Sequence, residues 1–147
     1  MPLLLSMAGI ACGDSTGTPA PDAGAGDLLS VGGSYATHVA LLPGGTCSGV
    51  TVEDNLTAVG HAPGSSNLTL THAGITYSGT VGSTGSFSTS PRTVVVTPAS
   101  YRITVTGQFG LQGLEATVTV EQTAPDACVY SVQWTGTKSG SPNVIPG

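Results

Sequence analysis

The stretch from Tyr101 to Thr137 constrains the fold more than any other, because three short segments of alternating apolar and hydroxyl residues follow one another there, separated by turn-forming breaks. Tyr101, Ile103 and Val105 share one face, Ala116, Val118 and Val120 repeat the pattern, and Cys128, Tyr130, Val132 and Trp134 complete it. Arg102, Thr104, Thr117, Thr119, Ser131 and Gln133 fall on the other face. A side-chain period of two belongs to strands with one buried and one wet face. The segments read as neighbouring antiparallel β-strands.

Composition extends this reading to the rest of the chain. Only 7% of the residues are charged, against about a quarter in an ordinary soluble domain, so solubility rests on Thr, Ser and Asn. Val and Thr suit a pleated, half-buried surface, and 22 Gly with 10 Pro interrupt any helical run past Ala11. A length of 147 residues fits one domain with a single core, expected over residues 28–147. The net charge is −5, with Arg92, Arg102 and Lys138 as the only cationic residues. No basic stripe exists to neutralise nucleic-acid phosphates, nor a cluster to dock electrostatically on anionic lipid headgroups.

Upstream, Leu28, Leu29 and Val31 precede a first predicted strand, Ser34 to Leu42, with Tyr35, Thr37, Val39 and Leu41 on one face and Ala36, His38, Ala40 and Leu42 on the other. Pro43-Gly44-Gly45 turns the chain into a second predicted strand, Cys47 to Val52, followed by a polar turn at Glu53-Asp54-Asn55 and a segment from Leu56 to Val59. His61 to Ser66 is a loop. Leu68 to Thr71 and Ile75 to Ser78 make a tight hairpin through His72-Ala73-Gly74. Ser86 to Thr89 follows, with Phe87 inward, and Thr93 to Thr97 is apolar on both faces, as expected of a central or doubly covered strand. Eight to ten strands with turns every eight to twelve residues predict an all-β antiparallel meander. A closed, lipocalin-like barrel is preferred because closure removes exposed edges, with a two-sheet sandwich as the alternative.

Residues Met1 to Ala11 (MPLLLSMAGIA) are apolar but far short of the roughly 20 residues that span a bilayer. With Gly9-Ile10-Ala11-Cys12 and the polar run Gly13 to Asp27 after them, they resemble the N-terminus of bacterial lipoproteins, in which an apolar export signal precedes a four-residue box ending in an acylated cysteine. The resemblance implies lipidation of Cys12, residues 12–27 as a flexible tether, and a partner in the membrane reached through the lipid anchor, at the bacterial cell envelope. The alternative is an ordinary cleaved signal peptide with Cys12 as a third thiol. With Cys12 acylated, Cys47 and Cys128 remain, and they are expected to form a disulfide in an exported chain.

Candidate chemistry is sparse. His38, His61 and His72 are the only imidazoles, and none has the HExxH, HxH or HxxxH spacing that puts two metal ligands on one element. His38, mid-strand beside Ala36 and Ala40, reads as partly buried; His61 and His72 read as loop residues exposed to solvent. No GxSxG occurs, Glu53-Asp54-Asn55 lacks the pattern of a calcium loop, and no motif asks for a cofactor. The best candidate contact site is the apolar tip of the Gly107 to Gly113 turn, Phe109 and Leu111, unless those two cap the end of the core. The expected function is that of a noncatalytic, membrane-anchored, extracytoplasmic β-domain binding a small apolar ligand or a protein partner, or serving structurally. The alternative is a metal-dependent or hydrolytic enzyme whose His and acid residues converge in space.

Overall fold

Alternation along each strand and antiparallel pairing between neighbours bend the chain into a closed ring. The computed structural model describes residues 28–147. Its strands are β1 (Gly33–Leu41), β2 (Asn55–Gly60), β3 (Asn67–His72), β4 (Ile75–Val81), β5 (Ser86–Thr89), β6 (Arg92–Val96), β7 (Ala99–Phe109), β8 (Gly113–Ala124) and β9 (Cys128–Lys138). Neighbours in sequence pair from β1 to β5, β7 pairs with β8 and β8 with β9, and two further pairings, β1 with β9 and β5 with β7, shut the ring. The result is an antiparallel eight-stranded barrel with β6 outside it. The barrel expected from the sequence is present; the sandwich is not.

Inward positions carry the apolar residues, as in the stacked pairs Val105 with Val118 and Val118 with Val132. Outward positions carry Thr, Ser, Gln and the few charges, including Arg102, Thr106, Glu115 and Glu121. A barrel that crosses a membrane with its strands has the opposite sense, apolar outside. Gly136 on β9 leaves space for its inward neighbours: a Cβ there would lie 3.1 Å from Leu114 Cγ and 3.3 Å from Tyr35 Cβ.

The two ends of the barrel differ. At one end Leu29 and Val31 enter the core before β1, and the segment after β9 folds back so that Ser30 and Val144 form a bridge. The buried Asn143 donates through Nδ2 to the Gly110 carbonyl (2.9 Å), and its Oδ1 lies 3.0 Å from the Tyr35 hydroxyl, which donates to the Val31 carbonyl (2.6 Å). The one hydrogen of the Tyr35 hydroxyl is shared between two acceptors, the Val31 carbonyl and Asn143 Oδ1, so the buried donors all find partners. Burial pushes the Tyr35 hydroxyl up to about 12, with the Asn143 hydrogen bond pulling the other way. This end is closed. At the other end stand the β1–β2 loop, the β3–β4 hairpin and the β8–β9 turn, and there the interior opens.

Two predicted elements are corrected. Cys47 to Val52 is not a strand but part of the β1–β2 loop, because β1 and β2 already pair directly and leave no free edge in the ring for it. That loop hangs on the start of β9 instead, through Thr46 N–H to the Val129 carbonyl (2.7 Å) and Val129 N–H to Thr46 Oγ1 (2.9 Å). The run at Thr93 to Thr97 forms β6, and it is an outer strand rather than a central one. β5 and β6 occupy successive lengths of the same edge of β7, and β4 reaches only as far as Thr89. Val95 and Val96 are consequently 63% and 62% exposed.

Candidate functional site

The interior of the open end holds a cavity of about 230 Å³. Val39 from β1, Ile103 from β7, Val118 and Val120 from β8, and Val132 and Trp134 from β9 give it apolar walls, and Tyr77 and Tyr130 add aromatic ones. Thr51 and Val52 from the β1–β2 loop and Ala73 from the β3–β4 hairpin, all exposed, stand at its mouth. Each wall residue occupies an inward position of its strand. The same periodicity that builds the core builds the cavity.

His72 is the buried imidazole of this cavity, beside the hydroxyl-bearing Thr51, Tyr77 and Tyr130. It ends β3, where Leu68 and Leu70 precede it on the same inward face, and it is only 8% exposed. Its ring stacks on the Trp134 indole with centroids 4.2 Å apart. Its Nδ1 lies 2.8 Å from Thr57 Oγ1, which lies 2.7 Å from Thr37 Oγ1, and Thr37 in turn donates to the Tyr35 carbonyl (3.1 Å). Thr37 and Thr57 are buried and do not line the cavity, so this chain runs behind the ring. Desolvation lowers the His72 pKa and keeps the imidazole neutral. Burial pushes Tyr77 up to about 12, opposed by Arg92 and reinforced by Tyr130, and it raises Tyr130, with Tyr101 adding to the effect.

The residues singled out from the sequence are dispersed. Cys47 and Cys128 are joined as expected, with an S–S distance of 2.05 Å and Cα atoms 5.1 Å apart, and the bond fastens the β1–β2 loop to β9 beside the mouth. Cys12 lies outside the described residues. Phe109 is not at a loop tip: it is the last residue of β7, 1% exposed, with its ring 4.7 Å from Phe87 and 5.8 Å from Tyr35. The inward alternation runs on past Val105 through Gly107 to Phe109, which makes the ring a plug of the closed end. Leu111, two residues on, is 58% exposed, so the two do not form one surface.

The histidines also stand apart. His38 faces outward and is exposed, correcting the partly buried reading, because Tyr35, Thr37 and Val39 take the inward positions of β1. Its Nδ1 lies 2.9 Å from Asp54 Oδ1, which also accepts the Val39 N–H at 2.9 Å. That backbone bond, with His38 nearby, lowers the Asp54 pKa. His61 donates through Nε2 to the Ser65 carbonyl (2.8 Å) and accepts the Val31 N–H at Nδ1 (3.4 Å), tying a loop to the closed end. His72, expected to be solvent-exposed, is buried instead. Among the described residues no three His, Cys, Asp or Glu side chains gather as metal ligands would.

A larger depression of about 440 Å³ lies on the outer wall, lined by Gln108, Gln112, Glu115, Thr135 and Thr137 with glycine backbone between them. These side chains are exposed and none is a buried titratable group. The cavity at the mouth is the place where apolar enclosure and a buried ionisable group coincide. In comparisons with known proteins, no family model, no curated protein and no solved structure matches the chain.

Proposed function

We propose that the protein is a noncatalytic binding protein of the bacterial envelope, anchored by lipid at Cys12, that takes a small apolar ligand into the open end of its barrel. The observation that carries this reading is the apolar cavity of about 230 Å³ with His72 set into its wall. Eight strands give a barrel interior that side chains just fill or that holds one small ligand. Here the closed half is filled, by Tyr35, Phe87 and Phe109, and the open half is not.

Export is supported by the Cys47–Cys128 disulfide, since such bonds persist in oxidising compartments. Anchoring is supported by the sequence ending in Cys12. The described chain begins at the closed end, so a tether running back to Cys12 leaves the mouth at the far end of the barrel from the membrane.

Native mass spectrometry of the protein extracted from its own membrane tests the proposal in one measurement. The expected spectrum carries an acyl-modified Cys12, the intact disulfide, and a noncovalent small-molecule adduct lost on collisional activation. A protein with free Cys12 and no adduct, which also fails to take up an apolar dye, overturns it.

A further inference from the structure

We propose that the cavity selects a neutral ring compound, phenol- or indole-like in shape, that donates one hydrogen bond to Nε2 of His72. The proposal rests on the binding role given to the cavity above and adds the chemistry of what is bound. It follows from a count of protons in the buried chain behind the imidazole. A threonine hydroxyl has one hydrogen to give and lone pairs with which to accept. Thr37 gives its hydrogen to the Tyr35 carbonyl, which can only accept. The 2.7 Å contact between Thr37 and Thr57 is then a bond donated by Thr57. Having spent its hydrogen, Thr57 accepts at 2.8 Å from His72, so the proton of the neutral imidazole sits on Nδ1.

The reverse assignment, with Thr37 donating to Thr57 and Thr57 to His72, forfeits the Thr37–Tyr35 bond and so makes one hydrogen bond fewer in the buried chain. Nε2 is therefore a bare acceptor. The two ring nitrogens point in nearly opposite directions, so with Nδ1 turned to Thr57 behind the ring, Nε2 is turned toward the cavity that His72 lines.

The rest of the cavity narrows the choice. A carboxylate or phosphate would set lone pair against lone pair at Nε2 and lose its hydration against Val39, Val118 and Val132. An ammonium group could donate, but it would leave its charge unpaired among the same apolar walls. A neutral hydroxyl or ring N–H meets the acceptor at little desolvation cost. As for size, an apolar cavity of about 150 Å³ accommodates benzene, so one of 230 Å³ suits a fused or substituted ring on the order of ten non-hydrogen atoms.

Calorimetric titration with indole and with benzofuran, matched in shape and differing in N–H against O, tests this directly. Indole is expected to bind at least about tenfold more tightly, the ordinary consequence of leaving a buried acceptor unpaired. Replacing His72→Phe keeps a ring against Trp134 and should bring the two affinities together. ¹⁵N NMR of the ligand-free wild-type protein should find the His72 proton on Nδ1, a readout that needs neither variant nor ligand. Equal binding of indole and benzofuran, or a proton on Nε2, overturns the donor rule while leaving a cavity that binds both. If neither compound binds and an apolar dye is also refused, the binding role falls together with it.

Discussion

Phe109 places its ring against Tyr35 and Phe87 where the barrel closes, and the three rings fill the space that would otherwise run through to the second opening. Phe109→Ala is expected to lower the unfolding free energy by about 3–5 kcal/mol, the range for emptying an aromatic site in a core. Leu111→Ser, two residues away but exposed, should change it by no more than about 0.5 kcal/mol. Urea denaturation of the two variants checks both, and equal effects would mean that Phe109 is not the plug. His72 adds a dependence on pH. Its pKa is ordinarily 6.5 and is lowered by burial in the folded chain, so above about 6.5 the ring is neutral in both states. As pH falls below that value the unfolded chain binds a proton that the folded one resists, and stability drops until the lowered folded value is passed. Urea midpoints from about pH 8 down to about pH 5 should therefore fall, and His72→Phe should reduce the slope. The inward place of His72 was legible in principle: Leu68, Leu70 and His72 share one strand face. Reading the strand as ending at Thr71 put the histidine in a turn, just as ending the next alternation at Val105 put Phe109 in a loop.

Strands that pair with both neighbours were recovered from period-two alternation, since a one-residue slip would turn every apolar side chain outward. Elements that depend on which edge is free were not. TVVVT has the composition of a buried strand and lies on the outside, because whether β4 extends far enough to cover it is a matter of strand length and stagger, which local pattern does not encode. β6 has β7 as its only strand neighbour among the described residues, and an exposed apolar edge of this kind invites pairing between molecules. Val95→Lys is expected to raise the concentration at which the protein stays monodisperse in light scattering, with stability changed by no more than about 0.5 kcal/mol. A variant that aggregates as readily as the parent would show that the edge is silent. The disulfide operates at the same scale. It closes a loop of 81 residues between the β1–β2 loop and β9, and the chain-entropy account gives such a bond about 4 kcal/mol. Cys47→Ser with Cys128→Ser should lower stability by about that amount in chemical denaturation, and it should free the loop that carries Thr51 and Val52 at the mouth.

At the scale of the molecule, the barrel has a filled end, where the described chain begins and where it finishes, and an open end carrying the disulfide-held loop, the cavity and His72. Both ends of the described chain at one end of the barrel is what a meander of eight ring strands imposes, because an even number of traversals returns the chain to its starting side. Residue 28 therefore leaves from the end opposite the mouth, so the lipid anchor proposed at Cys12 would hold the closed end toward a membrane. Electrostatics gives no competing orientation, since three cationic residues in the whole chain cannot draw either end onto an anionic surface. Fluorophores attached at Leu111→Cys, on the closed end, and at Thr51→Cys, at the mouth, can be compared on protein carrying the proposed anchor, reconstituted in vesicles containing a spin-labelled quencher lipid. Quenching is expected to be stronger at position 111 than at position 51. Reversal of that order, or equal quenching, would mean that the barrel lies over or inverts on its tether, and the mouth would then open toward lipid rather than toward the aqueous phase from which a small ring compound would arrive.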